Sequence, residues 1–97
     1  MLFRSRWLVI DGMVSQLGDL YALEVEAAGY PEISEEPALQ AVRMAVLRAT
    51  DAVSRIGAGA GAPAVANARE ALAAAGSAAA QARRLLADAR AARNRHA

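Results

Sequence analysis

Apolar residues recur at intervals of three and four along three separate stretches of this chain, and that spacing constrains the fold more than any other feature. Because an α-helix turns once in about 3.6 residues, such a repeat lines one side of a helix with apolar side chains. No stretch alternates apolar and polar residues as a half-buried β-strand does. The sequence therefore predicts an all-α fold: a three-helix up-down-up bundle, or a helical hairpin with a long Ala-rich third helix, completed by dimerisation.

The first predicted helix covers residues 6–28, with Ser5 as its N-cap and Gly29 just past its end. Its large apolar residues fill an arc of roughly 200° on a helical wheel, enough to contact two or three neighbouring helices. Gly12 and Gly18 each cost about 1 kcal/mol relative to Ala, so each marks a bend or permits close approach by another backbone. The predicted seam of this helix, which we expect to be buried in a helix contact, consists of Trp7, Ile10, Val14, Leu17 and Tyr21.

The second predicted helix covers residues 35–56 and is separated from the first by Pro31, which cannot continue a helix. Ser34 can cap it, and Pro37 is tolerated in its first turn. Its predicted inner face consists of Leu39, Val42, Val46, Ala49, Val53 and Ile56.

The third predicted helix covers residues 63–94 and follows a Gly/Ala linker at 57–62. The linker lacks the preceding strand and the following Lys-Ser/Thr of a phosphate-binding loop. A seam of mostly methyl groups lets helix axes approach closely but buries little area per residue. Gly76 and Ser77 are the expected weak point. The seam residues are Val65, Ala68, Leu72, Ala75, Ala79, Ala82, Leu86 and Ala89.

Charge is divided between the two halves of the chain, although the net charge is only +1. Seven carboxylates and no base lie between Trp7 and Val42, whereas residues 43–97 contain nine Arg against three acids. The cationic residues are all Arg. Arg forms bidentate contacts with anions, but an Ala- and Arg-rich composition would also account for the absence of Lys. The distribution predicts an acidic part facing a basic part.

Few residues could support catalysis or bind a metal. His96 is the sole histidine and lies one residue from the C-terminus, and the chain contains no Cys and no Lys. No serine is expected beside a histidine, and no Glu-x-x-His pair is present for a di-metal site. We therefore expect no enzyme activity, no cofactor and no metal.

The length of 97 residues predicts one domain, 1–97. The apolar run that follows the basic start is stopped by Asp11, so we expect no cleavable signal. No segment approaches the roughly 18 uncharged apolar residues of a membrane-spanning helix. The expected protein spans no membrane and resides in the cytoplasm.

The distribution of bulky side chains predicts an interaction module. The first two helices hold nearly all of them, and a methyl-lined third helix can cover only part of that surface. A second copy is the simplest cover, because symmetric dimers are the commonest oligomers; a heterologous protein helix could use the same groove. The predicted interface consists of Trp7, Ile10, Val14, Leu17, Tyr21, Leu39, Val42, Val46 and Val53.

The Arg-rich end of the third helix leads to an alternative interpretation, in which the chain is a nucleic-acid-associated protein. Phosphates or an acidic partner could be contacted by Arg83, Arg84, Arg90 and Arg93. No known nucleic-acid-binding motif accompanies them, and in an up-down-up bundle this end meets the protein's own acidic connection. From helix lengths we expect Arg83 and Arg84 to meet Glu32, Glu35 or Glu36, and Arg90, Arg93 and Arg95 to project beyond the bundle.

Overall fold

The computed structural model describes residues 2–57 and 61–96, with side chains described for 9–56 and 61–96. Within these ranges the chain forms three α-helices and no β-strand: α1 (Leu2–Ala28), α2 (Pro37–Gly57) and α3 (Ala62–His96). A 3-10 turn, Pro31–Ile33, lies between α1 and α2. The prediction of an all-α chain with three helices is confirmed.

The helix starts differ from the predicted ones. The predicted N-cap Ser5 lies inside α1, which begins at Leu2. The predicted cap Ser34 is also wrong, because its hydroxyl donates to the Pro31 carbonyl at 2.9 Å within the 3-10 turn. Since the residue before a proline avoids helical angles, α2 begins only at Pro37. The Glu36 carbonyl accepts the first helical hydrogen bonds.

The third helix is longer and more regular than predicted. It begins at Ala62 and continues as α-helix through Gly76 and Ser77 to His96. Of the predicted linker, Gly57 closes α2, whereas residues 58–60 lie outside the described residues. At about 1.5 Å per residue, the 35 residues of α3 extend about 52 Å, close to the 55 Å long dimension of the molecule.

The contact between α2 and α3 contains most of the core. Every residue of the predicted inner face of α2 is buried. On α3 the predicted seam is buried except for Val65, which is half-buried while Ala64 lies inside. Small side chains permit this close packing, because methyl groups let two helix axes approach the lower end of their usual 8 to 10 Å separation. The predicted packing side is therefore confirmed for both helices.

The inner side of α1 is rotated from the predicted seam. Val14 and Tyr21 are exposed, at 54% and 43%, so their predicted place in a buried seam is wrong within this chain. Leu17 is buried as predicted, Ile10 is half-buried at the core edge, and the Trp7 side chain lies outside the described ones. An apolar arc of roughly 200° is wider than the area two neighbours cover, so periodicity alone could not select its buried part. The buried residues of α1 are Met13, Leu17, Leu20, Leu23 and Ala27.

None of the helices, over the residues that the structure describes, combines the length and the apolar character needed to cross a membrane.

Candidate interaction surfaces

A second three-four repeat follows the outside of α1. Val14, Gly18, Tyr21 and Val25 succeed one another at spacings of four, three and four, and all four are exposed. Val25 is 74% exposed. The core of the chain uses the neighbouring repeat that contains Met13, and no residue of the outer repeat belongs to the buried core. Such spacing is typical of a helix that contacts another helix along one seam.

Two large apolar residues of α2 are also exposed. Met44 is 54% exposed and Leu47 is 66% exposed. The Tyr21 hydroxyl and Thr50 Oγ1 lie 2.7 Å apart and share a hydrogen bond that joins α1 to α2 at this surface. Glu24, three residues after Tyr21 in α1, interacts electrostatically with Arg43, which lies seven residues before Thr50 in α2. The two helices are therefore antiparallel, and Val25 and Leu47 lie at about the same level.

The exposed residues of the outer repeat of α1 and the two exposed apolar residues of α2 are together called the outer face: Val14, Gly18, Tyr21, Val25, Met44 and Leu47.

Gly18 lies in the outer face, although no neighbouring atom of its own chain requires a glycine there. A Cβ atom added there would meet no atom within 4 Å, and the same holds for Gly12. A glycine inside a helix costs about 1 kcal/mol relative to alanine. Of the two explanations that the sequence left open, close approach by another helix of this chain therefore does not apply to either glycine.

Charged residues border the outer face on both helices. Arg43 precedes Leu47 by four residues and Arg48 follows Met44 by four, which makes each a neighbour on the helix surface. On α1, Asp11 precedes Val14 by three residues. Burial raises the pKa of Glu24 above its ordinary value of 4.5, and the Arg43 guanidinium partly offsets that rise.

The predicted interface divides between the surface and the core. Val14 and Tyr21 lie on the outer face, but five other residues are buried within the chain and are not available to a partner: Leu17, Leu39, Val42, Val46 and Val53. A three-four repeat indicates which side of a helix is buried, but it does not identify the helix that packs against that side. Here α2 and α3 pack against each other. The sequence prediction missed Met44 and Leu47, whose signal was their position outside the inner repeat of α2.

The C-terminal part of α3 forms a second candidate surface, but much of it is engaged. Arg90 forms an ion pair with Glu26 of α1. Arg93 donates to the Gly29 carbonyl at 2.5 Å and to Glu32 Oε1 at 3.3 Å. Its guanidinium carbon also lies 4.0 Å from the centroid of the Tyr30 ring. These contacts join the end of α3 to the end of α1 and the 3-10 turn.

The prediction that Arg90 and Arg93 project freely is therefore wrong. The prediction from helix lengths left out the eight residues between α1 and α2. Three of them, Gly29, Tyr30 and Glu32, contact Arg93 near the end of α3. Among the described residues neither Arg83 nor Arg84 forms an ion pair, so their predicted contacts with Glu32, Glu35 or Glu36 are not observed. Both are exposed, as is Arg95.

Groups suited to catalysis do not converge on either surface. His96 is exposed at the end of α3, and no three acidic or histidine side chains of the described part are placed to hold a metal ion. No protein-family model, curated protein or solved structure matches the chain. Function is therefore inferred from the surfaces themselves.

Proposed function

We propose that this protein is a non-enzymatic helical interaction or scaffolding module that forms a homodimer through the outer face of α1 and α2. The observation that carries the proposal is the exposure, between 43% and 74%, of five large apolar side chains of α1 and α2. Single exposed apolar residues are ordinary, whereas a group of them at helical spacing marks a contact surface.

The size of the chain supports the same proposal. A domain of about 100 residues buries only about 60 to 65% of the surface that its unfolded chain exposes, so its own core leaves stability marginal. Eight of the buried residues belong to α3, and six of those are alanine, which contribute little area each. Covering the outer face with a second copy adds the burial that the alanine side cannot provide.

The alternative, a nucleic-acid-associated protein, is supported less well. Arg90 and Arg93 already contact Glu26 and Glu32, so a polyanion would have to displace carboxylates of the same chain. The net charge of +1 also gives little long-range attraction to phosphates. Arg83, Arg84 and Arg95 remain exposed, and three arginines would give at most a weak, salt-sensitive contact.

Analytical ultracentrifugation of the protein at micromolar concentration tests the proposal. We expect a mass of two chains for the unchanged protein and of one chain for Leu47→Asp, with helical circular dichroism retained in both. Ser77→Asp adds the same charge to an exposed position of α3 and should remain dimeric. A stable monomer of the unchanged protein would overturn the proposal. Retention on DNA at physiological ionic strength would favour the alternative.

A further inference from the structure

A groove runs between α1 and α3, and the residues that line it include none of the outer face. Residues 9–16 of α1 lie beside residues 69–76 of α3, and residues 19–26 lie beside residues 83–90, so the two helices are parallel. At residues 9–16 the groove contains a cavity of about 560 Å³, within the usual range of about 300 to 1,000 Å³ for small-molecule sites. Its apolar lining consists of Val9, Gly12, Met13, Leu72, Ala73 and Gly76.

The two glycines of this cavity, one on each wall, leave space that the chain does not use. Met13 and Leu72 are buried and form an apolar floor between the walls. A Cβ atom added to Gly12 or Gly76 would meet no atom within 4 Å, so the packing of the chain requires neither glycine. Inside a helix each glycine is less favourable than alanine. The missing side chains widen the groove above the floor.

The polar groups of the cavity lie at its two ends and include a single charge. Arg69 begins the α3 wall and Gln16 ends the α1 wall, so the parallel helices place them at opposite ends. Neither side chain forms an ion pair or a hydrogen bond with another described residue. No carboxylate of the described part lines this cavity, whereas Asp19 and Glu26 line the next cavity together with two arginines. The first cavity therefore carries one positive charge without a counter-charge.

We propose that this cavity binds an aliphatic carboxylic acid of medium chain length, with its carboxylate at Arg69 and its alkyl chain along Met13 and Leu72 toward Gln16. A guanidinium group can hold a carboxylate through two parallel N–H···O hydrogen bonds. The alkyl chain gains free energy by covering the apolar floor, because both surfaces are removed from water. A neutral ligand would leave the charge at Arg69 unused, and a cationic ligand would be repelled by it.

The groove itself limits the length of the chain. Beyond Gln16 it is lined by Asp19, Glu26, Arg83 and Arg90, which do not favour an alkyl chain. The seven-residue interval from Val9 to Gln16 corresponds to about 10 Å of helix, and the ligand should fit within that length. The inference does not depend on the proposed function, because the outer face and this cavity share no residue.

Calorimetric titration with octanoate, kept below its micelle-forming concentration, tests the cavity. We expect Gly76→Leu to lose binding, because the new side chain fills the cavity, and to keep its helical fold, because the added Cβ meets no atom. Ser77→Leu adds the same side chain at an exposed position that does not line the cavity, and it should bind octanoate like the unchanged protein. Equal binding by Gly76→Leu, or no binding by the unchanged protein, would overturn the inference.

A change of head group tests the role of Arg69. Octanol offers the same alkyl chain without a charge, and octylamine offers it with a positive charge, so we expect octanoate to bind most tightly and octylamine least. Arg69→Gln should weaken octanoate about fivefold, the upper size usual for an exposed ion pair, and leave octanol unchanged. Arg48→Gln removes an exposed arginine of α2 and should change neither. Equal binding of octanoate and octanol to the unchanged protein would show that the charge selects nothing and would contradict the assignment of an acid.

Discussion

The α2/α3 contact and the outer face of α1 and α2 use the same three-four spacing but opposite side-chain sizes. In the first, Ala49, Ala68, Ala75, Ala79 and Ala82 are fully buried. In the second, valine, leucine, methionine and tyrosine side chains remain largely exposed. Burial therefore depends on how closely a neighbouring helix approaches, and not on how apolar the side chain is. Small residues allow that approach, whereas the larger residues of the outer face remain 43% to 74% exposed.

Helix α1 shows the same contrast within one element. Its inner row belongs to the core, and the outer residues Val14, Gly18 and Tyr21 each directly follow a residue of the inner row. Adjacent residues of a helix point about 100° apart, so consecutive residues such as Met13 and Val14 belong to different surfaces. A charged side chain introduced in the inner row should therefore have a different effect from one introduced in the outer row.

The largest expected effect comes from a carboxylate in the inner row. Leu17→Asp buries an unpaired charge at a position that is 7% exposed, and we expect a loss of several kcal/mol in the free energy of unfolding. Val14→Asp should keep the helical fold and lose only self-association. Chemical denaturation together with sedimentation separates the two outcomes. Equal unfolding by both variants would show that Val14 is part of the core.

A smaller effect is expected where the alanine contact is made larger. Ala75→Leu forces α2 and α3 apart at a fully buried position, which should lower the free energy of unfolding by about 1 to 3 kcal/mol. Ala80→Leu, at an exposed position of the same helix, should cause no comparable loss. The measurement is urea denaturation at constant protein concentration. A neutral Ala75→Leu variant would mean that the helices are not held at close approach.

The contacts of Arg93 should contribute about 1 kcal/mol, the usual size of an exposed ion pair combined with a cation-π contact. Arg93→Ala removes the contacts to Glu32, Gly29 and the Tyr30 ring. Arg95→Ala, two residues away, removes an exposed arginine with no ion pair and should be silent. Thermal denaturation compares them at low and high salt, since salt should reduce the difference. Equal stability of the two variants at low salt would contradict the role of Arg93.

The smallest effect concerns Glu24, whose pKa is raised by burial. A raised pKa in the folded state means that stability is gained as pH falls through that pKa and lost as pH rises through it. Glu24→Gln cannot titrate, so the stability difference between the unchanged protein and this variant should become more favourable to the former on acidification. Denaturation from below to well above the ordinary glutamate pKa of 4.5 measures it. A difference that does not vary with pH would argue against burial of this carboxyl.

Local patterns were sufficient for the helices but not for their boundaries. The apolar spacing and Pro31 predicted three helices and the break between the first two. Caps were less reliable, since Ser5 lies inside α1 and the Ser34 hydroxyl donates to the Pro31 carbonyl within the 3-10 turn. A cap residue competes with its neighbours for the same backbone groups. The start of α2 was determined by Pro37, because the residue before a proline avoids helical angles.

The candidate site was predictable only in part. Val14 and Tyr21 were expected in the interface because of their spacing, and they do lie on the outer face. Met44 and Leu47 were not expected, because they belong to no inner repeat. Exposure is a property of the assembled helices, so no pattern within one helix identifies it.

The sequence by itself determined the helical class, the break at Pro31, the buried sides of α2 and α3 and the separation of charge, because each depends on residues close together in the chain. Only the tertiary structure decided which part of the α1 arc is buried, that Arg90 and Arg93 contact the acidic end, and that the outer face remains uncovered. Each of these depends on the position of one helix relative to another. That position is set by the close approach of the alanine contact and by the eight-residue connection beside α3, which no periodicity within a single helix contains.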